Sequence, residues 1–340
     1  MSNVDPRKRG SLLDALPQGK TGRRQFLTSL GLVAGAGLLA PLLKTIGPAR
    51  AESIEAGRPL LGTWCRIVAR DPDAHRAGQA VEAAFAAIAE VDGQMSIHRA
   101  DSQLSAVNAA AGTSARPVDR DVLNVVRLAC DVARRTDGVY DPTILPLMKL
   151  YGFYDSGRNH FPTDAEVGRA LARTGWGRVT LDHEAATVGL AGAGMALDLG
   201  SIGKGWALDR AVAALRAHGI RSGLVDVGGN VYGLGVPEPG AAGWSVGVAH
   251  PVTGAVDHVF VLRDCAVGTS GNNEQNHLMD QIRVGHLIDA RRGRPAGGHL
   301  SASVQAQSGV ESDYLSTVAF LLGPDRFRGW PEALATHFVG

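Results

Sequence analysis

The sequence has few cysteines and almost no net charge. Its three cysteines, Cys65, Cys130 and Cys265, lie far apart, and no C-x-x-C pair or Cys/His cluster occurs. This spacing argues against a zinc site or a disulfide-held scaffold, and we expect three buried thiols on apolar elements. Basic residues outnumber acidic ones by only 34 to 33, which gives no indication of a nucleic-acid partner.

Several familiar nucleotide-binding and catalytic motifs are also absent. In the glycine-rich turn around Lys204, the lysine is followed by Gly205, where a Walker A loop has serine or threonine. The glycine spacing of that turn does not match a dinucleotide fingerprint, and no G-x-S-x-G serine elbow occurs. These absences argue against the three kinds of site that those motifs mark.

The first 51 residues have the composition of an export signal. A basic leader reaches the twin-arginine pair Arg23-Arg24, an apolar run follows over 27–43, and residues 49–51 offer a small-x-small cleavage site. Glycines and a proline make the run marginal for spanning a bilayer, so we expect cleavage, with a retained membrane anchor as the alternative. We therefore expect a mature domain over 52–340 that is exported to the periplasm by the twin-arginine route and keeps no stable membrane span.

Hydrophobic periodicity predicts helices early in the mature chain and strands late. Helices are expected over about 74–93, 119–135, 206–218 and 309–322, with capping boxes at 163–166 and 308–311. Strands are expected over about 60–70, 178–182, 186–190, 195–199, 222–227, 230–235, 244–249, 257–263 and 301–307. This order favours an α+β fold, with mixed or antiparallel sheets and packed helices in two merged lobes, rather than a doubly wound parallel sheet.

The most informative segment is LDLGSIGKGWALD, residues 197–209. An expected strand ends at Asp198, a turn with three glycines carries Lys204, and a helix follows with Asp209 in its first turn. Glycines at 200, 203 and 205 would let backbone N–H groups approach a ligand, and a helix N-terminus favours anions. A lysine adds a point charge for phosphate. Alone, the segment predicts a phosphate site of unspecified purpose.

Three further signals are weaker. Asp313 and Thr317 share a helix face that would suit a hard cation such as Mg²⁺, although such residues also serve as a dipole partner and a backbone hydrogen-bond donor. His286, three residues before Asp289, could be a general base or part of an exposed polar turn. Tyr140 could stack on a planar ring, but packing is the more common role of a single tyrosine.

Together and in this order, the segments resemble the ApbE family of FAD:protein FMN transferases. The matching stretches are LGT (61–63), MSIHRADSQLSAVN (95–108), DGVYDPTILPLMKLYGF (137–153), LDLGSIGKGWALD (197–209), LVDVGGNVYGLG (224–235), TSG (269–271), HLIDARRGRP (286–295) and SVQAQSGVESDYLSTVAFLLG (303–323). Eight ordered matches carry far more weight than any single motif.

The resemblance implies an enzyme that cleaves the pyrophosphate of FAD, transfers FMN to a threonine or serine of an acceptor flavoprotein in an electron-transfer complex, and releases AMP. It implies Mg²⁺ held by the Asp313 and Thr317 side chains and by the main-chain carbonyl of Ser201. It implies His286 as the catalytic residue. The flavin-nucleotide contacts that it implies are Leu61, His98, Val139, Tyr140, Asp141, Lys204, Asp209 and Ile288.

Four positions depart from the family pattern. Leu61 replaces a methionine, His98 a tyrosine that commonly faces the flavin, Ala290 a proline and Arg292 a threonine. These departures leave an alternative open, in which the protein holds flavin without transferring it. It would then be an accessory protein of a periplasmic respiratory complex, for example in nitrous oxide reductase maturation.

Overall fold

The computed structural model describes residues 52–154, 158–272 and 276–340. The predicted export signal, residues 1–51, lies outside the described residues. Within the described ranges, no helix combines the length and the apolar character needed to cross a membrane.

Most helices of the described chain precede residue 172, and most of its strands follow residue 178. The helices are α1 (Ala74–Met95), α2 (Gln103–Ala109), α3 (Arg120–Arg135), α4 (Leu145–Leu150), α5 (Asp164–Leu171), α6 (Gly203–Ala217) and α7 (Gly309–Phe327). The strands are β1 (Glu52–Leu60), β2 (Thr63–Asp71), β3 (Arg116–Pro117), β4 (Val179–Asp182), β5 (Thr187–Leu190), β6 (Ser222–Val227), β7 (Asn230–Leu234), β8 (Trp244–Ala249), β9 (Val256–Leu262), β10 (Cys265–Gly271), β11 (Asn276–Met279), β12 (Ile282–Gly285), β13 (Ile288–Asp289), β14 (Arg294–Pro295), β15 (Ser301–Ala306) and β16 (Ala335–Val339).

The largest sheet has seven strands in the order β1-β2-β6-β7-β10-β15-β16, and every neighbouring pair is antiparallel. Successive residues face opposite sides of it, so Tyr232 and Ala266 join the main core while Val231 and Cys265 join a second cluster. Helices α1, α6 and α7 pack over the first side. The β8–β9 hairpin covers the second side through Phe260. The predicted α+β class is therefore confirmed.

The predicted helices are present, with small differences at their ends. α1 runs two residues beyond its predicted end, to Met95. Both predicted capping boxes have their two reciprocal hydrogen bonds, one beginning at Thr163 and the other at Ser308. α7 is interrupted at Gly323, where φ is 74°, one residue after the predicted end, and it then continues to Phe327. Caps and punctuating glycines were thus reliable guides to these boundaries.

The strand predicted over residues 195–199 is wrong, because the structure has no strand there. The Leu197 N–H donates to Asn108 Oδ1 at 2.7 Å, and the Leu197 carbonyl accepts from Asn108 Nδ2 at 2.9 Å. The Asp198 N–H donates to the Pro142 carbonyl at 2.8 Å. These partners take the backbone groups that a sheet ladder would use. The apolar residues of this segment are buried as an internal loop.

All three cysteines are free thiols. Cys65 and Cys265 are buried as predicted, whereas Cys130 is only partly shielded from solvent. Burial raises the pKa of Cys65 and of Cys130 to about 12. Both thiols therefore keep their protons at neutral pH.

Candidate active site

The first turns of α6 and α7 lie against each other. Gly205 of α6 donates its N–H to Asp313 Oδ2 of α7 at 2.8 Å. A Cβ added at Gly205 would lie 2.6 Å from Asp313 Cβ, far inside the ~3.5–4.0 Å at which carbon atoms normally touch. The expectation that the Gly205 N–H faces a ligand is therefore wrong: this glycine allows two helices to meet and gives its N–H to a carboxylate.

Asp209 makes the reciprocal contact from α6 to α7. Because α6 begins at Gly203, three residues before its predicted start, Asp209 lies in the second turn and not in the first. Its Oδ1 accepts from the Gly309 N–H at 2.6 Å, and its Oδ2 accepts from the Val310 N–H at 2.9 Å. Burial raises the pKa of Asp209 to about 6, and the two hydrogen bonds oppose that shift. The carboxylate thus caps α7, and its flavin contact stays a prediction.

Lys204 lies at this junction of the two helices. Its Nζ donates to the Gly200 carbonyl at 2.7 Å and lies 3.7 Å from Asp313 Oδ1. The Asp313 side chain is 4% exposed and the Lys204 side chain 29% exposed. The junction therefore combines a buried carboxylate with an ammonium group that solvent, and hence a ligand, can reach.

Hydroxyl groups line the neighbouring part of α7. Thr317 follows Asp313 by one turn, and its Oγ1 lies 3.1 Å from Ser270 Oγ near the end of β10. Ser270 Oγ also lies 2.8 Å from Ser316 Oγ. Ser270 was not among the predicted site residues, so its contact with Thr317 was not foreseen.

The predicted metal ligands form a donor set of oxygen atoms. Asp313 offers a carboxylate, Thr317 a hydroxyl and Ser201 a main-chain carbonyl, and Asp313 and Thr317 are both buried. Across the described ranges, no cluster of three or more His, Cys, Asp or Glu residues could hold a metal ion. The chemistry of this set fits a hard cation such as Mg²⁺, with one carboxylate and neutral oxygens, and does not fit a soft metal.

Tyr140 connects the loop that carries Ser201 to the main core. Its ring is buried in the main core, and its hydroxyl accepts from Ser201 Oγ at 3.1 Å. Burial raises the pKa of Tyr140. The ring therefore packs in the core, and the flavin contact implied for Tyr140 stays a prediction. The preceding carbonyl, that of Val139, accepts from the Ala290 N–H at 3.1 Å. A proline at position 290 has no N–H to donate, so this departure from the family pattern permits a contact between the two segments.

His286 lies directly after β12 and is half-buried. Its ring meets the Phe153 ring edge-on, with the centroids 6.4 Å apart. Tyr154, which follows Phe153, has its ring edge-on to the His98 ring, with the centroids 5.4 Å apart. Its hydroxyl donates a hydrogen bond to Asp198 Oδ2 at 2.5 Å. These two aromatic residues therefore join the segments of His286 and His98 to Asp198, in the loop that leads into α6. Neither Tyr154 nor Asp198 was among the predicted site residues.

Three further residues were predicted to contact the flavin, and the structure places them as follows. Asp141 is buried, and its oxygens accept from the Thr143 N–H at 2.8 Å and from the Trp176 N–H at 2.9 Å. Ile288 is buried in β13. Leu61 lies in the turn between β1 and β2 with φ 52°, partly buried against the core. The flavin contacts implied for these residues stay predictions.

Most of the described chain matches a single protein family. Residues 61–338 match the ApbE family. The chain is 34% identical over 297 residues to the FAD:protein FMN transferase of Treponema pallidum, over 82% of each protein. It is 30% identical over 248 residues to the FAD:protein FMN transferase of Vibrio cholerae, over 72% of this chain and 73% of the relative.

Solved structures agree with this fold. The ApbE protein of Thermotoga maritima superposes with a TM-score of 0.75 at 28% identity, covering 84% of this chain and 94% of the other. The flavin transferase ApbE of Vibrio cholerae superposes with a TM-score of 0.73 at 26% identity, covering 85% and 98%. The match in sequence and the match in architecture thus extend over the same domain, and this chain belongs to the ApbE family.

Proposed function

We propose that this protein is an FAD:protein FMN transferase that acts on an exported acceptor protein. The observation that carries the proposal is the junction of α6 and α7, where Lys204 and Asp313 meet at 3.7 Å beside Thr317. Relatives of 34% and 30% identity carry this name. The twin-arginine pattern of residues 1–51 supports export to the periplasm.

The reaction we propose transfers the phosphoryl group of FMN from the phosphoanhydride bond of FAD to a hydroxyl, with formation of a phosphate ester. A threonine or serine hydroxyl of the acceptor attacks the phosphorus of the FMN half of FAD, a new O–P bond forms, and the bond to the AMP phosphate breaks. AMP leaves with the electron pair of that bond. His286 takes the proton of the attacking hydroxyl, because an imidazole is a suitable base near neutral pH.

Charge neutralisation is the main requirement of this step. Lys204 would face the pyrophosphate with its ammonium group, and its contact with the Gly200 carbonyl holds that group in place. Asp313, Thr317 and the Ser201 carbonyl would hold Mg²⁺, and the bound ion would offset negative charge on the phosphates. Asp313 is itself oriented by the Gly205 N–H, so the helix junction fixes both the cation site and the lysine.

The alternative function is flavin binding without transfer. Its motivation is the set of departures at Leu61, His98, Ala290 and Arg292. The hydrogen bond from the Ala290 N–H to the Val139 carbonyl weakens the case for this alternative, because this departure adds a contact that stabilises the loop.

AMP release and acceptor mass separate the two functions. We expect the protein, incubated with FAD, Mg²⁺ and candidate exported acceptors, to release AMP and to add the mass of FMN to one acceptor. Asp313→Ala should abolish both signals, because it removes the carboxylate of the proposed cation site and the charge beside Lys204. Asp325→Ala is the matched control, since Asp325 is also on α7 but its side chain is 94% exposed. Retained flavin with no AMP from the wild type would favour the binding protein, and an active Asp313→Ala variant would exclude the proposed metal ligand.

A further inference from the structure

We propose that Tyr154 is a positioning residue of the active site, acting through Asp198 on the segment that carries Ser201 and leads into α6 at Lys204. The proposal rests on the transferase function proposed above and adds a residue that the family resemblance did not assign. It follows from a continuous set of hydrogen bonds between Tyr154 and the α6–α7 junction.

The chain turns sharply just before Tyr154. α4 ends at Leu150, and Gly152 has φ 75°. The Gly152 N–H donates to the Lys149 carbonyl at 2.9 Å, and the Phe153 N–H donates to the Met148 carbonyl at 3.1 Å. This is a Schellman pattern, which ends a helix in one defined direction. The aromatic pair 153–154 is therefore aimed by its own helix cap.

Asp198 is the receiving group, and it depends on Tyr154 for its second hydrogen bond. Asp198 is 6% exposed, so its side chain is largely shielded from solvent. Its Oδ1 accepts from the Gly200 N–H at 2.8 Å, and its Oδ2 accepts from the Tyr154 hydroxyl at 2.5 Å. Burial, together with the Asp198 carboxylate, raises the pKa of Tyr154, so the phenol keeps its proton and remains a donor.

The segment after Asp198 carries Ser201 and, in the first turn of α6, Lys204. Gly200 follows Asp198 by two residues, and its carbonyl accepts from Lys204 Nζ at 2.7 Å. Lys204 in turn lies 3.7 Å from Asp313. A shift of Asp198 would therefore move the carbonyl that holds the lysine. Displacements of about 1 Å can cost an enzyme on the order of a hundredfold in rate.

The same segment also reaches the other side of the site. The Phe153 ring lies edge-on to His286, with centroids 6.4 Å apart. The Tyr154 ring lies edge-on to His98 at 5.4 Å. Phe153 and Tyr154 thus help to fix the distance between His286 and Lys204. A transfer step requires that distance to stay constant.

The test removes one hydroxyl and keeps the ring. In Tyr154→Phe, amide hydrogen exchange over residues 199–205 should become about tenfold faster or more, because a buried carboxylate loses a charge-assisted hydrogen bond. The kcat of AMP release should fall by about tenfold, with a smaller change in the KM for FAD. Tyr232→Phe is the matched control: it removes a buried hydroxyl that contacts Arg216, and it should change neither quantity.

A second variant distinguishes loss of this hydrogen bond from general misfolding. Asp198→Asn should accelerate exchange in the same residues, and adding Tyr154→Phe to it should have little further effect, because the two side chains act through one hydrogen bond. Wild-type exchange over 199–205 in Tyr154→Phe would overturn the proposal, as would faster exchange with unchanged kcat. If the wild type releases no AMP, the transferase function fails, while the exchange experiment still decides whether Tyr154 holds the loop.

Discussion

Gly205→Ala should weaken both the fold and the active site, although alanine is the better helix former. The added Cβ would lie 2.6 Å from Asp313 Cβ and 2.7 Å from the Gly309 carbonyl carbon. Since carbon atoms pack at ~3.5–4.0 Å, α6 and α7 must separate by about 1 Å. Such overpacking costs about 1–3 kcal/mol, and the gain of up to ~1 kcal/mol in helix propensity offsets only part of it.

The effect on activity should exceed the effect on stability. Separation of the helices would lengthen the 2.8 Å hydrogen bond between the Gly205 N–H and Asp313, and would move Asp313 relative to Lys204. We therefore expect AMP release to fall by about a hundredfold, while urea unfolding remains cooperative at a lower midpoint.

Gly203→Ala is the matched control on the same helix. A Cβ at Gly203 would meet nothing closer than Leu199 Cβ at 4.0 Å. Because no atom opposes this Cβ, we expect the free energy of unfolding to stay the same or to rise by up to ~1 kcal/mol through helix propensity. Equal midpoints and equal AMP release for the two alanine variants would refute the reasoning, because the close approach of the helices would then have no energetic consequence.

Two further predictions concern titratable groups. The pKa of Asp209 is raised to about 6, so the folded state binds this proton more tightly than the unfolded chain; the free energy of unfolding then falls as pH rises from about 4 to 6, by up to about 3 kcal/mol. Asp209→Asn has no carboxyl to titrate, so its free energy of unfolding relative to wild type should increase between pH 4.5 and 7. Urea titrations at several pH values measure this difference, and a difference that does not change with pH would contradict the prediction. Cys65 and Cys130, with pKa values raised to about 12, should resist iodoacetamide at pH 8 in the native protein and react in urea, as mass spectrometry would show.

Local signals predicted much of the architecture. The capping boxes at Thr163 and Ser308 and the apolar periodicity of α1 depend on residues close in sequence, so they could be identified without tertiary information. The strand at 195–199 was wrong because its backbone partners, Asn108 and Pro142, are remote in sequence. An apolar run bounded by turns indicates burial, but it does not by itself distinguish a strand from a buried loop.

The sequence indicated candidate residues for the site but not the contacts that hold them together. Lys204, Asp313 and Thr317 came from motifs, and the structure brings Lys204 and Asp313 together. The reason for Gly205 was missed, because helix contact between residues 108 positions apart leaves no local pattern. Tyr154 was missed for the same reason, since its partner lies 44 residues away.

The mutual capping of α6 and α7 also has a consequence for how the protein folds. The bonds from Asp209 to Gly309 and from Gly205 to Asp313 close loops of 100 and 108 residues. Such closures carry an entropic cost that only extensive native packing can repay, so neither half of the chain can form this pair of contacts alone. A ligand bound at the junction would therefore favour the folded state of the entire domain, and occupancy of the site would report on completed folding.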